Sequence, residues 1–299
     1  MSSSRCRCDI TDAAIAAGAV AAAFAPCEPV DIRTAGLYRD WLSRGAHGGM
    51  DYMERYGEVR DNPCLLLDGA RSILCCAFPY GQTSHSELFS DYAVGDDYHE
   101  VLRRRLGPVA ELMETTVAGS ATRICVDTAP LRERYWAARA GLGVIGLNNQ
   151  LIVPGVGSKV FLAEILWTAE ADYGTPLPGD CGRCGACVAA CPGHALDGVG
   201  GIDCIRCLSY LTIEHRGPLP DGLVLSGRIY GCDICQDVCP HNRYCPPSLP
   251  EFCPRPTVMA LSRDDVAGMS QTEFSTIFSH SAVKRAKLAG LKRNAEAGE

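Results

Sequence analysis

Residues 181–196 read "CGRCGACVAACPGHAL", four cysteines within eleven residues and a proline directly after the last. A weaker echo, "CDICQDVCP", occupies residues 232–240. The chain has 299 residues and 18 cysteines, eleven of them between positions 181 and 253. Disulfide frameworks belong to short chains with poor cores. This chain is long and 47% hydrophobic with 21% charged residues, enough to bury a core without covalent staples. Its clustered thiols therefore read as metal ligands in a reducing, cytoplasmic setting. The seven earlier cysteines (Cys6, Cys8, Cys27, Cys64, Cys75, Cys76 and Cys125) show no ligand spacing beyond adjacent pairs. A net charge of −7 gives no global attraction to nucleic acid, so such a partner would have to meet a local basic patch.

Cys181, Cys184 and Cys187 stand at two-residue gaps, and Cys191-Pro192 follows after three. This C-x2-C-x2-C-x3-C-P run is the bacterial ferredoxin pattern, in which three thiolates hold one [4Fe–4S] cube and the fourth reaches a second cube. The second cube must find its other ligands elsewhere in the chain. Counting back from Cys239-Pro240 gives Cys235 and Cys232, but the next position is Ile229, where a symmetric ferredoxin has cysteine. "DCIRCLSYL" (203–211) offers Cys204 or Cys207, and spacing does not separate them. The expected crossing gives one cluster on Cys181, Cys184, Cys187 and Cys239. The other takes Cys191, Cys232, Cys235 and either Cys207 or Cys204. Structural zinc also uses C-x2-C pairs, yet it supplies no reason for C-x3-C-P to occur twice. Two neighbouring clusters form an electron wire and do not by themselves name an acceptor.

The first 170 residues alternate helix and strand patterns in an α/β or α+β manner. "AAIAAGAVAAAFAP" (13–26) has Ala-x-Ala triplets like a signal peptide, but Asp9 and Asp12 precede it and alanine outweighs leucine. It reads as part of a buried Ala-rich helix over 10–25. A second helical region spans 34–57, interrupted at "GAHGGM". "ARSILCCAFPY" (70–80) reads as a buried strand ended by Pro79, and 97–117 as a helix whose arginines 103–105 form a solvated face. "TRICVDTAP" (122–130) reads as a strand stopping at Asp127, which then caps a helix through about Ala140. Residues 149–166 read as a hairpin turned at Pro154-Gly155. "GLGVIG" (141–146) matches a dinucleotide fingerprint but follows a helix rather than a strand, so its glycines end that helix. No run has the length of a membrane span. "YGTPLPGD" (173–180) resembles a linker, and the chain closes on helices with a basic stretch at Lys284, Arg285, Lys287, Lys292 and Arg293. That stretch reads equally as a phosphate contact or a solvated helix face.

Six segments, "HGGMDYMERYGEVRDNP", "DYAVGDDYHEVLRRRL", "VDTAPLRERYWAARAGLGVIG", "SKVFLAEIL", "CLSYLTIEHRG" and "GRIYGCDICQDVCPHN", occur in the order seen in the epoxyqueuosine reductases. The chain resembles that family from about residue 10 to residue 255. The resemblance implies an α+β protein with a nitroreductase-like α/β cobalamin-binding domain at 1–172. A ferredoxin-like domain with two [4Fe–4S] clusters would follow at 173–256, and a helical segment at 257–299. It implies reduction of the epoxide of epoxyqueuosine, in the tRNA anticodon wobble position, to the cyclopentene. Electrons would pass through both clusters to cobalamin, with Asp127 of "VDTAP" as proton donor. The corrin would lie near Arg60, Tyr92, Asp127, Arg132, Glu133, Arg134, Leu151, Leu162 and Ser209. The expected partners are tRNA carrying epoxyqueuosine and an electron donor of flavodoxin or ferredoxin type, with no membrane and a monomeric enzyme. His99 follows Asp97-Tyr98, but Leu102 stands where the base-off motif D-x-H-x-x-G has glycine, so His99 reads as a structural polar residue and not a cobalt ligand.

Two departures and two rival readings accompany the resemblance. Leu147 stands where the family commonly has lysine, and His241 where it often has tryptophan. Many relatives continue into a HEAT-like helical domain, so a short form is expected here. The rivals are a dehalogenase-like corrinoid reductase of a small molecule and a non-enzymatic iron–sulfur carrier. The α/β half, which holds no clusters, argues against the carrier.

Overall fold

The computed structural model describes residues 3–81 and 85–297, with side chains from residue 9 onward. Helix α1 (Ser3–Ala16) is followed by strand β1 (Ala21–Pro26), then α2 (Ile32–Ser43), α3 (Gly57–Asp61) and β2 (Ser72–Pro79). Next come α4 (Tyr98–Thr116), β3 (Thr122–Cys125), α5 (Glu133–Arg139), the short strands β4 (Val144–Ile145) and β5 (Leu151–Ile152), and β6 (Val160–Trp167). The main sheet has the order β1-β2-β6-β3 with every pair antiparallel.

Both faces of this sheet are covered, which explains why β2 is buried at every position. Side chains alternate across a strand. Leu74, Cys76 and Phe78 of β2 and Ala163, Ile165 and Trp167 of β6 therefore pack on α1 and α4 through Ile10, Ala14, Leu102, Leu106 and Met113. Ile73, Cys75 and Ala77 face the other way, onto Trp136 and Ala137 of α5. Even-numbered positions of β6 share that second face, and one of them is Glu164, with 0% exposure.

Four expectations need correction. The Ala-rich run is not one helix: α1 ends before Gly18, whose φ of 107° a residue with a side chain rarely adopts, and the remaining alanines form β1. The small side chains suit a strand wedged beside β2 as well as they suit a helix. Residues 149–166 do not form a hairpin, because β5 pairs with β4 whereas β6 joins the main sheet between β2 and β3. Asp127 is not a helix cap: α5 begins six residues later, with Arg132 at the cap position. Finally, the arginines 103–105 are not a bare solvated face. Arg105 makes a two-pronged contact with Glu251 at 2.8 and 3.1 Å, Arg104 reaches the same carboxylate, and Arg103 donates to the Thr128 hydroxyl at 2.6 Å.

The cysteine-rich stretch carries only short helices: α6 (Ala186–Ala190), α7 (Leu208–Ile213) and α8 (Ile234–Asp237). The chain ends in α9 (Pro256–Met259), α10 (Arg263–Gly268), α11 (Gln271–Ile277) and α12 (Lys287–Glu296). These last helices bury Val266, Phe274, Phe278 and Leu291 against Phe89, Val94, Ile213 and Tyr230. Of the basic stretch, Arg285 binds both oxygens of Glu214 at 2.8 Å, and Arg293 donates to the carbonyls of Leu211, His215 and Gly217. Those two arginines hold the fold together.

Candidate functional site

The cysteines of the two motifs ring two cavities. One is lined by Cys181, Cys184, Cys187 and Cys239 together with Leu147, Ile152 and His241. The other, about 260 Å³, is lined by Cys191, Cys207, Cys232 and Cys235, and also by Tyr92 and Ser209. The two thiol sets expected from spacing thus each gather at one cavity, and Cys207 rather than Cys204 lies on the second lining. Among the described residues no three His, Cys, Asp or Glu side chains converge on a point suited to a single metal ion. Four thiols around a cavity are the donor set of a cube of iron and sulfide. Burial pushes the Cys232 thiol up to about 11, so iron must displace its proton on binding.

Local sequence explains how these thiols gather. Gly193 follows Cys191-Pro192 because a β-carbon there would sit 1.8 Å from the Arg206 carbonyl oxygen; only glycine lets the first motif close on the turn that carries Cys207. His241 spans the other cavity, its Nε2 3.0 Å from the Cys181 carbonyl, and Leu147 closes the wall. The two departures from the family pattern therefore both face one cluster cavity. Lys159, at the start of β6 and 5% exposed, bonds Asp91 at 2.6 Å and Asp237 of α8 at 2.7 Å. This buried ion network ties the cysteine-rich stretch to the sheet.

The aromatic side chains lead from the second cavity to Asp127. Tyr92 meets Tyr98 edge-on at 6.2 Å, and Tyr98 stacks on Phe161 at 4.4 Å. The Tyr98 hydroxyl donates to Asp127 Oδ2 at 2.7 Å. His99 Nε2 lies 3.3 Å from the same oxygen, and His99 Nδ1 lies 2.7 Å from Asp97 Oδ1. Asp97 also caps α4 by accepting the His99 amide. Burial alone would lower the His99 pKa, but hydrogen bonds to Asp127 and Asp97 outweigh it and push the imidazole up to about 9. Burial likewise opposes charge on Asp127, yet bonds from His99 and Tyr98 hold its carboxyl below the usual range. The proton of this pair rests on His99. Asp127 itself has φ 55°, a left-handed conformation for a non-glycine residue. Its side chain is 57% exposed.

The remaining expected residues fall in four groups. Tyr92 and Ser209 line the larger cavity. Arg134 reaches the Asn149 carbonyl, and the Asp127 and Glu133 charges act on it. Glu133 accepts the Asp127 amide at 2.5 Å, and burial followed by the Asp127 charge pushes its carboxyl up to about 8. Arg132 is committed to Asp61 and to the Tyr38 ring, 4.3 Å away, and Arg60 donates to the Tyr52 carbonyl at 3.1 Å. Leu151 is buried in the α5-side core, and Leu162 packs against it. Sequence reasoning did not foresee the contact of His99 with Asp127, nor the buried Glu164. The "DYH" at the start of α4 was visible, but its distance from Asp127 was not.

Two four-thiol cavities on an α+β scaffold, with an aromatic path from one of them to the Asp127 carboxyl, define an iron–sulfur oxidoreductase. Residues 180–242 match the family profile of a 4Fe-4S double cluster binding domain, and residues 60–128 match that of "Epoxyqueuosine reductase QueG, DUF1730". The chain is 37% identical over 263 residues to the epoxyqueuosine reductase of Cellulophaga algicola, covering 85% of each chain. It is also 37% identical over 287 residues to that of Gloeobacter violaceus, covering 91% of this chain and 89% of the other. Among solved structures it superposes on an epoxyqueuosine reductase bound to an epoxyqueuosine-modified tRNA-Tyr stem loop with a TM-score of 0.89 at 30% identity, covering 98% of this chain and 80% of that one. A Bacillus subtilis structure, with its catalytic aspartate loop swung out of the active site, matches with a TM-score of 0.87 at 27% identity, over 98% and 81% of the two chains. The chain belongs to the epoxyqueuosine reductase family.

Proposed function

We propose that this oxidoreductase reduces epoxyqueuosine in the anticodon loop of tRNA to queuosine, with Asp127 delivering a proton to the departing epoxide oxygen. The observation that carries this is the continuity from the cavity of Cys191, Cys207, Cys232 and Cys235, through Tyr92 and Tyr98, to the Asp127 carboxyl. Opening an epoxide to an alkene consumes two electrons and two protons and releases water. Two [4Fe–4S] clusters and a cobalamin, when bound, supply the electrons.

The residues present fit a corrinoid, whose amide arms both donate and accept hydrogen bonds. Ser209, Gln150 and Asn148 line the cavity beside Tyr92, and Arg60 keeps a buried Nε without an acceptor. Arg134 adds a guanidinium close to Asp127 and Glu133, and Leu151 and Leu162 lie in the adjoining core. Cys181, Cys184, Cys187 and Cys239 hold one cluster; Cys191, Cys207, Cys232 and Cys235 hold the other.

The protein's own contribution is the proton. Stored on His99 and steadied by Asp97, it passes along the 3.3 Å contact to Asp127 Oδ2 and on to the substrate oxygen. The Tyr98 hydroxyl fixes that carboxyl oxygen in place. The electron donor is a flavodoxin- or ferredoxin-type protein that meets the Cys184 side, where the thiol is exposed. Deleting the gene and measuring tRNA nucleosides by mass spectrometry tests the reading. Epoxyqueuosine should accumulate and be cleared by the wild-type gene but not by Asp127→Ala; unchanged queuosine in a host with no second enzyme would end it.

A further inference from the structure

Glu164 stands in the middle of β6, with 0% exposure, and neither of its carboxyl oxygens finds a hydrogen-bond donor. Its β2 and β3 register partners are Cys75 and Cys125, buried thiols that offer no positive charge. On the same face of the sheet, Glu133 opens α5, and its Oε1 accepts the amide of Asp127. Two carboxylates facing one another in a dry core cannot both be ionised. We infer that Glu133 and Glu164 share a proton, and that this neutralised pair is the strut that holds the Asp127 backbone in its left-handed conformation.

Several independent features lead to this assignment. An isolated ionised glutamate under the central strand would carry a prohibitive desolvation cost. A protonated Glu164 can instead donate its O–H to Glu133, which leaves the other Glu133 oxygen to accept from Asp127. Burial and then the Glu133 charge raise the Glu164 carboxyl well above its ordinary range, and burial raises that of Glu133 as well. The remaining charged or titratable groups around the pair are Asp127, Arg134, Cys75, Cys76 and Cys125. Only Arg134 is cationic, and it is directed to the Asn149 carbonyl. A left-handed aspartate sits in a sparsely populated backbone region that its surroundings must sustain. Glu133 and Glu164 are positioning residues; neither has to touch substrate.

This inference rests on the reading of Asp127 as the acid, and the test separates the two. Infrared spectra of the protein prepared without cobalamin should show a neutral carboxyl C=O band at neutral pH that disappears in Glu164→Gln and survives in Asp127→Asn. Hydrogen exchange of the peptide carrying the Asp127 amide should speed up about tenfold in Glu133→Ala. Glu133→Gln, whose side-chain carbonyl still accepts the amide, should restore most of the protection. A missing band, or one indifferent to Glu164→Gln, overturns the shared proton. Exchange in Glu133→Ala that matches wild type overturns the strut, and Glu133→Gln serves as the second variant if Glu164→Gln fails to fold. Should Asp127→Asn remain active, the acid assignment fails while the spectroscopic result on the pair stands by itself.

Discussion

Asp127 is held by three neighbours. Tyr98 and His99 bond its side chain, and Glu133 holds its amide. Replacing it with alanine should lower turnover about 100-fold or more while iron content stays at the wild-type level, measured by single-turnover assay beside iron analysis. His99 provides a second check. Its pKa is raised to about 9 by Asp127 and Asp97, against the effect of burial. The stability it contributes is therefore fully present below its unfolded value, about 6.5, and is lost as pH rises through about 9. Histidine hydrogen–deuterium exchange should find His99 titrating near 9 in wild type and shifted down in Asp127→Asn; an unchanged value would break the pairing. The sequence showed Asp127 through its motif, yet simple helix rules made it a cap. A positive φ leaves no mark in the local residue pattern, because the bonds that sustain it come from Tyr98, His99 and Glu133.

Among the elements, α4 and β6 do most to build the site. Helix α4 was legible from its apolar spacing; its Asp97 cap was not singled out in the sequence. Asp97 has a double task, capping the helix and orienting His99, so Asp97→Ala should cost about 1 kcal/mol in chemical denaturation and lower the His99 pKa as well. Strand β6 was legible as an apolar run, but its partners were not. Pairing is decided by the whole sheet, and the turn at Pro154-Gly155 looked sufficient for a hairpin although β5 pairs with β4 instead. Lys159 at the head of β6 lies between two carboxylates of separate segments. Lys159→Ala leaves Asp91 buried without its cation, at a cost of about 3 kcal/mol. The same variant should release iron faster under a chelator, since the network anchors α8 beside Cys235 and Cys239.

Across the whole molecule, the cysteine spacing carried more information than any other part of the sequence, because thiolate number and gap are fixed by the cluster and hardly depend on the rest of the fold. It grouped the thiols as they lie around the two cavities. It could not choose Cys207 over Cys204, since three residues of chain decide which thiol turns inward and only the packed structure fixes that turn. Anaerobic reconstitution should give about eight iron per chain, about four in Cys207→Ser, and no change in Cys204→Ser. The match to the family over most of the chain joins this electron path to a reaction. The most direct measurement supplies the reconstituted protein, anaerobically, with cobalamin, a low-potential reductant and an anticodon stem-loop carrying epoxyqueuosine, and follows the nucleosides by mass spectrometry. Conversion to queuosine with loss of a single oxygen atom, abolished in Asp127→Ala, is the expected result. Persistent epoxyqueuosine with both clusters and cobalamin bound would contradict it.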